Sequence, residues 1–316
     1  GLITHTENRP VPVDLDKLSF PARDLLVKPL RDKRAYGAII TSRGCAFDCG
    51  FCSAKAIVGR KMRYRSIQNV IDEIKEVVDK FEVRNFIFWD DTFTVNRNRT
   101  IELCRAVGKL NIDWRCTSRV DMVDYSLLKE MSRAGCRVID YGVESVSESI
   151  LIKINKNVTR AQIDKAFSNT IRAGIIPNAF LMIGFPDETE ADIRKDIEFV
   201  KKTKAIGLCL SVFTPYPGTA LYGRAKELGL IKDDFDCYDI FQQSFDNYFT
   251  QCVSRDKFKS LLYELIDVVD KHNASLYNRI LSILIVSKNN PKWFIRKIIN
   301  KSRNLVNYLQ AKKNQV

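Results

Sequence analysis

Short runs of β-branched and aromatic residues alternate along the chain with longer segments in which apolar residues recur every three or four positions. The short runs have the length of strands and the longer segments have the period of amphipathic helices, so together they predict βα units and a parallel sheet. Six strands are predicted at 37–41, 85–89, 113–117, 137–141, 178–183 and 207–213. Helices are predicted at 66–81, 100–110, 126–134, 159–173, 188–202 and 219–228.

Six βα units in one run predict an α/β fold of one of two kinds. Periodicity alone does not choose between an open doubly wound sheet and an incomplete (β/α) barrel. Both folds place their chemistry where the strands end, and small, charged and turn-forming residues follow all six predicted strands. The functional site is therefore expected at the carboxyl edge of the sheet.

The two ends of the chain differ from this central pattern. Residues 1–33 are rich in proline and alternating charges and predict an extended linker, followed by the domain of βα units over 34–232. Residues 233–316 are predicted to form a mostly helical extension, with helical segments at 255–286 and 291–312. The last segment is a basic amphipathic helix, which either packs on the protein or contacts an anionic membrane surface.

Charge and composition narrow the function classes. The net charge of +13 is uneven, because the residues from Lys288 onward contain Lys and Arg but no Asp or Glu. The body is therefore only mildly basic, and a nucleic-acid partner is not expected. No apolar stretch reaches the roughly 20 residues of a membrane span. Nine cysteines and no leader-like start predict a cytoplasmic protein, with peripheral membrane contact through the C-terminal helix as an added expectation.

Three cysteines carry the strongest chemical signal. Cys45, Cys49 and Cys52 stand in CAFDCGFC, directly after the first predicted strand. Thiolates so spaced on one loop can converge on one centre, and they favour zinc or an iron-sulfur cluster. No histidine or further cysteine close in sequence offers a fourth ligand, which favours a 4Fe-4S cluster with one open iron. A structural zinc site is the alternative.

The motif CAFDCGFC after a first strand resembles that of the radical S-adenosylmethionine (SAM) superfamily, in which the residue before the third cysteine is usually aromatic, as Phe51 is here. The resemblance spans about residues 34–228. It implies a partial (β/α)6 TIM-like barrel with a 4Fe-4S cluster on the three cysteines, and SAM bound at the open iron. An external electron donor would supply the electron that cleaves SAM to a deoxyadenosyl radical.

The resemblance also implies cofactor contacts at the ends of the second and third strands. Asp91 and Thr92 stand where the superfamily usually carries a Gly-Gly-Glu-like turn that holds the SAM amino group, although the residues differ here. Arg119 follows the third strand as a partner for the SAM carboxylate. Its alternative is an ion pair with a neighbouring aspartate.

Three later segments extend the resemblance. Glu144 and Ser145 lie in GVES, which is similar to the fourth-strand segment that contacts the cofactor ribose or amino group. Met182 and Gly184 lie in LMIGFPDET, which resembles the fifth-strand segment that packs on adenine. Pro215 lies in TPYPGT, which resembles the sixth-strand end that closes that pocket.

Together with DLDKLSFPARDLL at 14–26, these segments resemble one branch, the radical SAM enzymes with an N-terminal cobalamin-binding domain. That domain is expected to be absent from this chain, through truncation or because the chain is a stand-alone descendant, so cobalamin is expected only in a full-length protein. The implied reaction is methylation or another C-H transformation of a small or lipid-like metabolite. The alternatives are tRNA methylthiolation and a non-catalytic metal-binding protein.

Overall fold

The computed structural model describes residues 11–26, 33–232, 235 and 244–289. The predicted basic helix at 291–312 lies outside these residues. The first described segment is irregular apart from two single-turn 3-10 helices. The division of the chain into linker, barrel and extension stays a prediction.

A six-stranded parallel sheet forms the centre of the molecule. In their spatial order, its strands are β1 Ala38–Ile39, β4 Asn85–Phe88, β5 Asp113–Ser118, β6 Cys136–Glu144, β7 Ile176–Ile183 and β8 Gly207–Val212. Each of the six predicted strands is present. Two further strands, β2 Ser42–Arg43 and β3 Arg63–Tyr64, form a separate antiparallel pair that the sequence did not predict. The predicted α/β fold of the partial-barrel type is confirmed.

Helices lie between consecutive strands of the large sheet, as the predicted βα pattern requires. They are α1 Ala54–Ile57, α2 Ile67–Phe81, α3 Arg97–Val107, α4 Tyr125–Arg133, α5 Glu148–Lys153, α6 Arg160–Arg172 and α7 Glu190–Lys202. Three helices follow the last strand, namely α8 Ala220–Glu227, α9 Arg255–Ala274 and α10 Leu276–Asn289. Polar side chains start several of them: Ser66 caps α2, and Thr159 and Thr189 form capping boxes for α6 and α7. None of the described helices is long and apolar enough to cross a membrane.

Alternation along β5 shows which face of the sheet meets the helices. Trp114, Cys116 and Ser118 are buried, whereas Arg115 and Thr117 are only partly buried. Since successive side chains of a strand point to opposite faces, the first set packs against the helices and the second faces the interior of the partial barrel. This assignment separates structural from site-facing positions on the other strands.

The C-terminal extension differs from the prediction at one place. A single helix was predicted over 255–286, but the structure breaks it at Ser275, whose ψ of 124° is extended. Asn278 supports the break, since its side-chain amide donates to the His272 carbonyl at 2.9 Å, an oxygen at the end of α9. The prediction of one uninterrupted helix was wrong because the apolar period continues across the break.

Candidate functional site

The cysteine loop begins at a glycine that no other residue could replace without strain. Gly44 has φ of +105°, and a Cβ on it would lie 2.4 Å from the Lys61 carbonyl oxygen. Directly after it, the Cys45 amide donates to the Gly59 carbonyl at 3.1 Å. The loop therefore leaves β2 in a defined direction and lies against the segment that leads into β3.

A turn after α5 holds the middle of the cysteine loop. The Gly50 amide donates to the Ile154 carbonyl at 2.8 Å, and the Asn155 side chain donates to the Asp48 carbonyl at 2.8 Å. Asn155 and Asn157 have φ of +53° and +52°, a conformation that asparagine tolerates better than most residues. The sequence predicted neither α5 nor this turn, which fixes the loop from the opposite side of the barrel mouth.

Two cations lie beside Cys49. The Arg119 guanidinium donates to Cys49 Sγ at 3.6 Å, and Lys156 is close enough to act on the same thiol electrostatically. Burial raises the pKa of the Cys49 thiol, and the charges of Lys156 and Arg119 oppose that rise. Burial also raises the pKa of Cys52, opposed by the Ala54 amide. A metal centre deprotonates its cysteine ligands, and nearby cations stabilise the resulting negative charge.

The three thiols suit a soft, electron-rich centre by their chemistry. Cys45 and Cys49 are partly buried and Cys52 is exposed, and none of them forms a disulfide. Among the described residues, no three His, Cys, Asp or Glu side chains are close enough to hold a metal ion as the structure stands. The donor type, the shared loop and the two cations fit an iron-sulfur cluster, and the ligand set stays a prediction.

Arg119 is engaged with protein groups. Its guanidinium forms a two-point ion pair with Asp121, both contacts at 2.9 Å, and donates to the Lys156 carbonyl at 2.7 Å. It also stacks 4.0 Å from the Phe47 ring centroid. The structure thus contains the neighbouring ion pair that the sequence left open, and Arg119 links β5 to both the cysteine loop and the turn after α5.

Glu144 lies at the mouth of the barrel as an ion-pair partner of Lys156. The two groups are 3.0 Å apart, with side-chain exposures of 10% and 5%. Both lie against Gly142 on the inner face, because a Cβ there would fall within 2.8 Å of each charged group. The Lys156 ammonium is 6.0 Å from the Phe51 ring centroid. Lys156, which no sequence motif singled out, therefore connects Glu144 to the cysteine loop.

The aspartates after β4 have different environments. Asp90 is buried and accepts hydrogen bonds from the Thr41 amide and hydroxyl and from the Ser42 hydroxyl. Asp91 is exposed, and its charge acts on Cys52. Burial raises the pKa of both carboxyls. Asp90 therefore ties β4 to the start of the cysteine segment. Asp91 lies near Cys52, and its role toward SAM stays a prediction.

Thr92 and Ser145 are buried in contacts with the protein. The Thr92 hydroxyl donates to the Asp91 carbonyl at 2.8 Å. The Ser145 hydroxyl donates to Asp196 of α7 at 2.9 Å, and the adjacent Val146 amide donates to the same carboxylate at 2.7 Å. Ser145 thus lies on the helix side of β6, although its neighbour Glu144 lies on the inner side. Their roles toward a cofactor stay predictions.

The fifth and sixth strands place the remaining predicted residues at the same edge. Met182 is partly buried and Pro215 is buried. Gly184, with φ of +88°, packs under Phe258 of α9, whose ring would lie 3.1 Å from an added Cβ. Its amide donates to the buried Glu188 carboxylate, so the glycine turns the chain tightly after β7. The structure brings Phe51, Arg119 and Glu144 around the cysteine loop.

Comparisons with known proteins agree with this geometry. A family model described as the radical SAM superfamily matches residues 39–200. An uncharacterized methyltransferase of Pyrococcus horikoshii is 34% identical over 226 residues, which are 70% of this chain and 49% of that protein. The bacteriochlorophyllide d C-12(1)-methyltransferase of Chlorobaculum tepidum is 28% identical, over 66% of this chain and 46% of that protein. The chain spans about half the length of these relatives.

Among solved structures, a radical SAM methyltransferase from Kitasatospora setae, determined with cobalamin and a 4Fe-4S cluster bound, superposes with a TM-score of 0.62. The match covers 84% of this chain and 61% of that one at 17% sequence identity, so it establishes the fold. The family match covers more than half of the chain and includes the cysteine loop. The chain belongs to the radical SAM superfamily, as its CxxxCxxC motif implies.

Proposed function

We propose that this chain is the radical SAM part of a cobalamin-linked enzyme. The enzyme acts on a small or lipid-like metabolite, which it methylates or changes at a C-H bond in another way. The observation that carries the proposal is the cysteine loop at the barrel mouth, with Arg119 and Lys156 beside Cys49. Cys45, Cys49 and Cys52 would hold a 4Fe-4S cluster, which supplies the electron for reductive cleavage of SAM to a deoxyadenosyl radical.

The residues around the loop prepare this chemistry in distinct ways. Arg119 and Lys156 offset the negative charge of deprotonated thiols in a partly buried setting. Glu144, held by Lys156, presents a carboxylate toward the barrel interior for the ribose or amino group of SAM. Phe51 and Phe185 pack with ring centroids 6.2 Å apart and provide an apolar wall near the loop. These groups bind and orient, while the cofactors carry the radical step.

Methylation is favoured by the relatives, since two of those that match over about two thirds of this chain are methyltransferases by name. One of them acts on a bacteriochlorophyllide, a small molecule with a large apolar body. In a methyl transfer of this branch, cobalamin in the full-length protein would carry the methyl group and a second SAM would recharge it. A tRNA substrate is not supported, because the basic charge is concentrated beyond the barrel.

The first test is anaerobic cleavage of SAM. The protein is reconstituted with iron and sulfide, reduced with dithionite and given SAM, and deoxyadenosine is measured by chromatography. The Cys45→Ala, Cys49→Ala, Cys52→Ala triple variant should bind little iron and form none. Cys252→Ala, which removes an exposed thiol outside the loop, is the matched control and should behave as the native protein.

Metal analysis separates the enzyme from a non-catalytic metal protein. About four irons and four sulfides per chain support the proposal. Zinc without sulfide in the native protein, or iron that survives loss of the three cysteines, would refute it.

A further inference from the structure

The linker segment 11–26 forms one wall of a cavity that the proposed chemistry does not use. The cavity has a volume of about 460 Å³ and lies between this segment and edge strand β1. Small-molecule sites are commonly clefts of about 300–1,000 Å³ with mostly apolar walls and a few polar groups. The size of the cavity therefore fits a metabolite.

The walls of the cavity are apolar and partly open to solvent. Ile40 and Trp89 are exposed at 45% and 56% and lie at the carboxyl ends of β1 and β4. Because Ile39 and Phe88 pack against the helices, these next residues face the interior of the partial barrel. The linker contributes the remaining apolar wall, namely Leu15, Leu18, Phe20, Pro21, Ala22 and Leu26.

Two arginines and one glutamate form the polar floor of the cavity. Arg23 and Arg65 each contact one carboxylate oxygen of Glu73, at 2.6 Å and 2.5 Å. The side chains of Arg23 and Glu73 are 9% and 2% exposed. One carboxylate neutralises only one of two guanidinium groups, so the floor keeps an excess positive charge. Two acids of the linker contact other groups, since Asp14 pairs with Lys17 and Asp16 accepts a hydrogen bond from the Ser66 amide.

Arg23 presents a positive charge to the cavity. Its Nη2 group donates to the Ala38 carbonyl and to Glu73. The side chain is nine-tenths buried and lines the cavity. An acid group bound in the cavity would therefore lie against a guanidinium group, which pairs strongly with carboxylate and phosphate oxygens. At the rim, Arg43 is exposed and forms no ion pair with any described residue.

We propose that this cavity binds a small amphipathic anion, with a carboxylate or phosphate at Arg23 and Arg43 and an apolar chain or ring along Ile40 and Trp89. The planar guanidinium matches either acid group in a two-point contact. Arg43 lies two residues before Cys45, and Trp89 lies two residues before Asp91, so the ligand would lie beside the cysteine loop. Its identification as the substrate rests on the proposed function, whereas its binding does not.

Trp89 provides a direct reporter for the test. The 316-residue chain carrying Trp293→Phe retains Trp89 and the buried Trp114, so solvent-sensitive emission comes from Trp89. Dodecanoate, dodecyl phosphate and dodecanol are titrated separately below their aggregation concentrations. Both anions should shift the emission to the blue in a saturable way. Dodecanol should bind with an affinity at least about tenfold lower, because it lacks the charge. Preference for one anion identifies the head group.

Three variants test the assigned contacts. Ile40→Asp places a carboxylate on the apolar wall and should weaken anion binding about tenfold or more. Ile57→Asp changes an isoleucine that is 76% exposed on α1, outside the cavity, and should leave binding unchanged. Arg43→Gln removes an exposed charge that pairs with none of the residues in the described ranges, and it should weaken the binding of both anions but not of dodecanol.

The outcomes separate this inference from the proposed function. No saturable shift with either anion, equal affinity for dodecanol, or unchanged binding in Ile40→Asp would overturn the anion site. Binding by a chain that forms no deoxyadenosine would leave the site standing and contradict the radical SAM proposal. Deoxyadenosine formation by a chain that binds neither anion would support the radical SAM proposal and overturn the anion site.

Discussion

Replacement of Lys156 by methionine tests the centre of the site, because it removes a buried charge and keeps the apolar stem. Glu144, whose side chain is 10% exposed, would lose the ammonium group that lies 3.0 Å away. Removing one member of a buried ion pair usually costs about 3–5 kcal/mol, since the other charge remains desolvated. We therefore expect the free energy of unfolding to fall by about 3–5 kcal/mol, which lowers Tm by roughly 5–8 °C in a chain of this length.

The stability assay is urea unfolding of the reconstituted protein, followed by circular dichroism under anaerobic conditions. The double variant Glu144→Gln, Lys156→Met removes both charges and should recover at least half of the loss, because no unpaired charge remains. Lys165→Met on the exposed face of α6 is the matched control and should change stability by no more than about 0.5 kcal/mol. A single variant as stable as this control would refute the reasoning.

The same variant reports on the cluster. Lys156 and Arg119 place positive charge near Cys49, and positive charge near a cluster favours its reduced state. In a redox titration followed by electron paramagnetic resonance, Lys156→Met should move the midpoint potential to a more negative value, whereas Lys156→Arg should retain the native value. Equal potentials in the native and methionine proteins would show that Lys156 acts only on stability.

Three further predictions follow from single contacts. Gly44→Ala should lower the iron bound per chain and should reduce the free energy of unfolding by about 1–3 kcal/mol, because φ is +105° and the added Cβ meets a carbonyl. Gly223→Ala in α8, where an added Cβ has open space, should be tolerated in the same metal analysis. Ser145→Ala should lower the free energy of unfolding measured with urea by about 1–3 kcal/mol, because its hydrogen bond to Asp196 is lost, and it should leave deoxyadenosine formation intact. A large loss of SAM cleavage would instead assign Ser145 to the cofactor site. Burial raises the pKa of Asp196 to about 7, against about 3.9 when unfolded, so the folded state holds an extra proton between these values and stability should fall as pH rises from about 4 to 7. Asp196→Asn should flatten that slope in urea titrations at several pH values, and an unchanged slope would contradict the assignment.

The sequence was sufficient to predict the repeated units of this fold and the loop that carries its chemistry. All six strands of the sheet were predicted because their apolar runs are long enough to be distinct, and their edges hold Cys45, Cys49 and Cys52 as expected. The β2–β3 pair was missed because its strands, Ser42–Arg43 and Arg63–Tyr64, are short and polar and form no apolar run. The break at Ser275 was missed because the apolar pattern runs through it.

Only the tertiary structure decided which polar groups meet at the barrel mouth. Lys156 lies twelve residues after Glu144 and more than one hundred after Cys49, so no local spacing could join them. The turn after α5 brings them together through backbone hydrogen bonds, and the same packing engages Arg119 with Asp121. Local periodicity determines elements, whereas long-range burial and charge pairing determine the site.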